Sequence, residues 1–120
     1  MLIGSGRFIG TGGHRLHGTF TLTKLADHVL FETSEDFFFD GAPEPGWALS
    51  KGTPEDHISP KVSEFASRTR FGEMPGEIIP VRGKQLGRIP GRIWRENFDT
   101  VFLWCFSVPF ILGVGPIERN

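Results

Sequence analysis

The sequence predicts an all-β fold, a β-sandwich or small barrel of short antiparallel strands with one long irregular loop. Three observations predict it. Gly 16 and Pro 9 make up more than a fifth of the 120 residues, against about 12% in an average chain. They are scattered without a period, so they break helices and punctuate short strands. Residues His17 to Leu25 alternate, with Phe20 and Leu22 on one side and Thr19, Thr21 and Thr23 on the other, which is the signature of a half-buried strand. Phe 12 stands against Tyr 0, and Phe suits a pleated, half-buried surface while bringing no hydroxyl that needs a partner.

Taken in order, Gly6 to Gly10 reads as a first strand and Gly12-Gly13-His14 as a turn. The alternating strand follows. Asp27-His28 turns into a second strand, Val29 to Thr33, giving a hairpin of consecutive antiparallel strands. Asp36 to Asp40 is a short strand carrying Phe37, Phe38 and Phe39. Gly41-Ala42-Pro43-Glu44-Pro45-Gly46 is a loop and Trp47 to Ser50 a strand. Residues 51–77, with Pro54, Pro60, Gly72, Pro75 and Gly76, fit a long irregular loop or a single helical turn; Ile58, Val62 and Phe65 give only a weak periodicity. Ile78 to Val81 reads as a strand, and Gly83 to Gly91 as a turn and strand. Asp99 to Leu112 is apolar at both even and odd positions, so it belongs in the middle of a sheet covered on both faces, with a bulge or bend at Pro109.

Composition sets limits on function. The length fits a single domain, residues 1–120. Hydrophobic residues are 38% of the chain and charged residues 22%, enough for a core and too ordinary for disorder. A net charge of −1 and a pI of about 6.4 provide no bulk positive field of the kind that binds nucleic acid. The basic run Arg82, Lys84, Arg88, Arg92 and Arg95 offers one aromatic, Trp94, where a nucleic-acid surface interleaves several. That run reads as solvated turns, or as a surface for an anionic partner or the acidic face of a second copy. No apolar stretch is long enough for a membrane-spanning helix. The N-terminus lacks the basic and long apolar regions of an export signal, so the expectation is a cytoplasmic protein or an exported one whose signal has been removed.

The candidate chemistry is sparse. Cys105 is the sole cysteine, so no intramolecular disulfide forms. In an apolar strand it reads first as a small buried hydrophobe. A reactive thiol needs a neighbouring cation, metal or helix N-terminus, which has to come from elsewhere in the fold. His14, His17, His28 and His57 are the groups that titrate near neutrality. They have no zinc spacing, although Cys105 with His14 could hold a redox metal if the fold converges them. Neither a serine elbow nor a phosphate-cradling glycine loop occurs.

Gly6-x-Phe8, Gly13-His14, Gly18, Asp36-Phe37, Gly41-x-Pro43, Leu49, and finally Trp104-Cys105 with Gly113 eight residues on, are similar in order to the DM-thirteen domain. That small domain occurs in Skeletor-like and Knickkopf-like animal proteins and in stand-alone bacterial proteins, and the resemblance covers nearly the whole chain. It implies an all-β domain with a redox or electron-transfer role centred on the cysteine. Carried over, the cysteine is Cys105, its preceding aromatic Trp104 and the N-terminal histidine His14. The chain departs from the family in its longer 41–46 loop, in Pro109 and in showing no export signal, and its redox partner would be a separate molecule.

Two further readings stand beside the redox module. One is a non-enzymatic binding module for a small molecule, glycan or protein, with Cys105 a packing residue and exposed loops around Trp47, Pro43 and residues 51–77 as the contact surface. The other is a protomer that forms a homo-oligomer through strand edges or aromatic patches.

Overall fold

A computed structural model describes residues 1–54, 60–74 and 78–120. His57, Ile58, Pro75 and Gly76 lie outside the described residues. The described residues form an all-β sandwich with two helices. The first sheet has the order β10-β5-β4-β1-β13, built from β1 (Leu2–Arg7), β4 (Thr19–Lys24), β5 (His28–Thr33), β10 (Leu86–Pro90) and β13 (Glu118–Arg119). The second, β2-β12-β11-β7-β8, is built from β2 (Ile9–Gly10), β7 (Pro45–Ser50), β8 (Gly72–Glu73), β11 (Thr100–Cys105) and β12 (Phe110–Pro116). A small third sheet joins β3 (Leu16–His17), β6 (Phe38–Phe39) and β9 (Val81–Arg82). All pairings are antiparallel.

The expected hairpin is β4–β5, in register from Phe20 opposite Thr33 to Lys24 opposite Val29. Phe20 and Leu22 are buried while Thr19 and Thr21 face solvent, as the alternation predicts. The space between the two large sheets is filled by aromatic rings. Phe31 of β5 meets Trp47 of β7 at 5.0 Å between centroids, and Phe8, Phe20, Phe37 and Phe71 pack around that pair.

Asp99 to Leu112 differs from its sequence reading. It is a hairpin, β11 and β12, and Pro109 lies in the turn between them rather than at a bulge within one strand. Phe106 to Pro109 supplies a serine and a proline at the point where the chain reverses. The expected double-sided burial of β11 does hold. Val101, Leu103 and Cys105 point into the inter-sheet core, and Phe102 and Trp104 point the other way.

What covers that second face is the main departure from the sequence reading. Within 51–77 lies α1 (Pro60–Thr69), a ten-residue helix rather than a single turn or an irregular loop. Its Val62 and Ala66 pack against Phe102 and Trp104, and the Val62, Phe65, Ala66, Thr69 spacing is the helical i, i+3, i+4, i+7 stripe. Thr69 also extends the sheet where β8 stops. Its Oγ1 accepts from the Leu49 amide at 3.3 Å and lies 3.1 Å from the Leu49 carbonyl. The strand expected over Ile78 to Val81 is confined to β9, with Ile78 and Ile79 in an exposed bend. The second helix, α2 (Gly91–Trp94), is one turn after β10. Among the described residues no helix is long and apolar enough to cross a membrane.

Candidate functional site

The pleat of β11 decides how Trp104 and Cys105 relate. Successive strand residues point to opposite faces, so neighbours in sequence sit across the sheet from one another. Trp104 is buried against α1 and Ile111, with its indole N–H unpartnered among the described residues. It does not shield the thiol, although the two are adjacent in sequence. Cys105 lies on the other face, 2% exposed, with Sγ 3.8 Å from Ser107 Oγ.

Long-range folding brings two of the other candidate residues to that thiol. A cleft of about 230 Å³ at one end of the sandwich is lined by His14, Pro43, Cys105, Val108 and Phe110, among others. His14 comes from the turn after β2, Pro43 from the β6–β7 loop, and Cys105 and Phe110 from the opposed ends of β11 and β12. Apart from the thiol and the imidazole, the described side chains around the cleft are apolar, and Val108 and Ile78 lie exposed at its rim.

His14 is held firmly. Its Nδ1 lies 2.8 Å from Asp40 Oδ1. A carboxylate only accepts, so Nδ1 is the donor in this pair. The ring stacks on Phe39 at 5.7 Å and meets Phe110 at 6.2 Å. The hydrogen-bond partner of the thiol is Ser107, not His14. Cys105 and His14 thus line the same cleft without bonding to each other. Among the described residues no three His, Cys, Asp or Glu side chains converge as a metal site would need.

Asp40 is tuned by its surroundings. Burial opposes its charge, but the Arg15 amide and the His14 ring together outweigh that and hold the carboxyl below its ordinary range. Asp99 is lowered by the Gly52 amide, which donates to Oδ1 at 2.7 Å, and by the Thr100 hydroxyl. A carboxylate depressed in the folded state contributes stability above its unfolded pKa and loses it as pH falls through the folded value. Urea midpoints are therefore expected to fall below about pH 4, and less steeply in Asp40→Asn and Asp99→Asn than in the parent. An unchanged slope in both variants would contradict these assignments.

Trp47 is not on an exposed loop. It is 1% exposed at the centre of the aromatic core, because β7 starts at Pro45 and turns the indole inward. His17 pairs with Asp36 at 3.2 Å and His28 with Asp27 at 2.7 Å, both far from the thiol in sequence and outside its cleft. Two of the basic residues from Arg82 onward have acidic partners. Lys84 pairs with Glu32 and Arg88 with Asp27.

The sequence reading missed a second cleft that His14 also lines. Its walls carry Arg15, His17, Phe38 and Arg82, drawn from three strands or their flanks. No local signal joins residues so distant in the chain. Compared with protein-family models, curated proteins and solved structures, the chain matches none.

Proposed function

We propose that this chain is a binding module, and that the Cys105 cleft takes a small apolar group. The observation that carries this reading is convergence. Four separate segments meet around a pocket whose described side chains are apolar except for one thiol and one fixed imidazole. Sites for small molecules have this make-up, apolar walls with few placed polar groups. At about 230 Å³ the cleft is smaller than the roughly 300–1,000 Å³ of drug-sized sites. Its occupant is then the size of one ring or a short alkyl chain, either free or at the end of a larger partner.

Titration with indole and with hexanol, followed by methyl NMR, tests it. Saturable shifts at Val108, Leu112 and Ala42 are expected, together with slower alkylation of Cys105 by iodoacetamide. Shifts confined to Val62 near α1, or no saturable shift, would overturn the reading.

A second reading is favoured by the same shared cleft and by the resemblance to the DM-thirteen domain. In it the chain is a redox or electron-transfer module, with Cys105 as nucleophile or metal ligand and His14 as base or co-ligand. An absorption spectrum and elemental analysis of freshly purified protein separate the two. A bound chromophore or a stoichiometric metal lost in both Cys105→Ser and His14→Gln would favour the redox module over the binding module.

A further inference from the structure

The small third sheet has two unlike faces. In its register Leu16 stands opposite Phe39, and Phe39 opposite Val81; all three are buried. The alternate row is His17 opposite Phe38 and Phe38 opposite Arg82. His17 and Arg82 are exposed and Phe38 is half-buried, so this row is the outward face.

Arg15 joins the row from beside β3. Its guanidinium carbon lies 5.1 Å from the centre of the Phe38 ring, and that of Arg82 lies 4.7 Å from the same centre. Two like charges are thus held against one phenyl ring. Neither guanidinium has a carboxylate partner among the described residues. The nearby acids are engaged elsewhere. Asp40 takes the His14 ring and the Arg15 amide, and Asp36 takes His17 and the Ser34 hydroxyl. No acidic residue is among the described residues lining the cleft of about 550 Å³ that these groups surround.

We propose that this outward face is an oxyanion site, taking a phosphate or sulfate group through Arg15 and Arg82. Guanidinium forks match the oxygen edges of such groups. Stacking on Phe38 limits the motion of both side chains before the anion arrives, which lowers the ordering cost of binding. His17 stands beside Phe38 in the same row, its Nε2 turned to Asp36. Because His14 lines this cleft and the apolar one, a ligand carrying both an apolar group and an anionic group could span them. The oxyanion site does not depend on that.

The test is amide NMR titration with inorganic phosphate and, separately, inorganic sulfate at constant ionic strength. Saturable shifts at Arg15, His17, Phe38 and Arg82 are expected with at least one anion. The tighter of the two arms identifies the preferred group. Arg15→Gln and Arg82→Gln are each expected to weaken binding about tenfold. Arg15→Lys, which keeps the charge and loses the fork, is expected to fall between parent and Arg15→Gln. These side chains are on the surface, and circular dichroism verifies that each variant folds. Shifts that fail to saturate, or equal affinity in parent and Arg15→Gln/Arg82→Gln, would overturn the proposal. Indole and hexanol binding at the Cys105 cleft is expected to be unchanged in the arginine variants, so the two sites succeed or fail separately.

Discussion

Replacing Trp47 by Ala is expected to cost about 3–5 kcal/mol of folding stability, as truncation of a large buried aromatic typically does. Trp47 is 1% exposed and its ring lies 5.0 to 5.8 Å from those of Phe31, Phe8 and Phe37. Phe31 belongs to the first sheet and Trp47 to the second, with Phe8 and Phe37 packed in from connecting segments, so the indole joins the two sheets. Its removal leaves a cavity that rigid strands cannot collapse around. A domain of this size holds about 5–15 kcal/mol in total, so the variant should be marginal. Urea unfolding measures it. A loss under about 1 kcal/mol would place Trp47 at the surface, where the sequence reading put it as part of a binding loop.

The second large effect is expected at Gly41. Its φ of +106° is disfavoured for residues with a side chain, and a Cβ there would lie 2.7 Å from the Ile79 carbonyl oxygen and 2.9 Å from the Ile79 nitrogen. The obstacle is backbone, which has no rotamer to move aside. Gly41→Ala is therefore expected to lose about 2–4 kcal/mol, combining backbone strain with overpacking. Gly13 is the control. Its φ is +82°, but a Cβ there meets nothing within 4 Å, so Gly13→Ala should cost only about 1 kcal/mol. Equal losses at the two positions would show that the contact with Ile79 contributes nothing. Gly41 also lines the Cys105 cleft, so the same substitution should move Ala42 and Pro43 and alter binding there.

Much of the sandwich was legible because its signals are local. The Phe20, Leu22 and threonine alternation marks β4, the Asp27-His28 turn marks the hairpin, and apolar residues on both faces mark β11 as a central strand. α1 was harder to read. Its Val62, Phe65 and Ala66 stripe is short and sits among prolines and glycines, and its stability comes from packing on Phe102 and Trp104, which lie about forty residues away. The opposed directions of Trp104 and Cys105 follow from the pleat alone, so that signal was present in the sequence and was passed over for the adjacency of the two residues. The meeting of His14, Pro43 and Cys105, and that of Arg15, Phe38 and Arg82, depends on loop placement and sheet order. Nothing in residue spacing encodes either.

The Cys105 site requires that its thiol be reached through the cleft in the folded protein. Its most direct test is the rate of iodoacetamide alkylation across low urea concentrations, all below the unfolding transition. Reaction through the cleft predicts a measurable rate that stays flat as urea rises. A rate that climbs with urea in step with the global unfolding equilibrium would mean the sulfur is reached only when the sandwich opens, and would contradict the site.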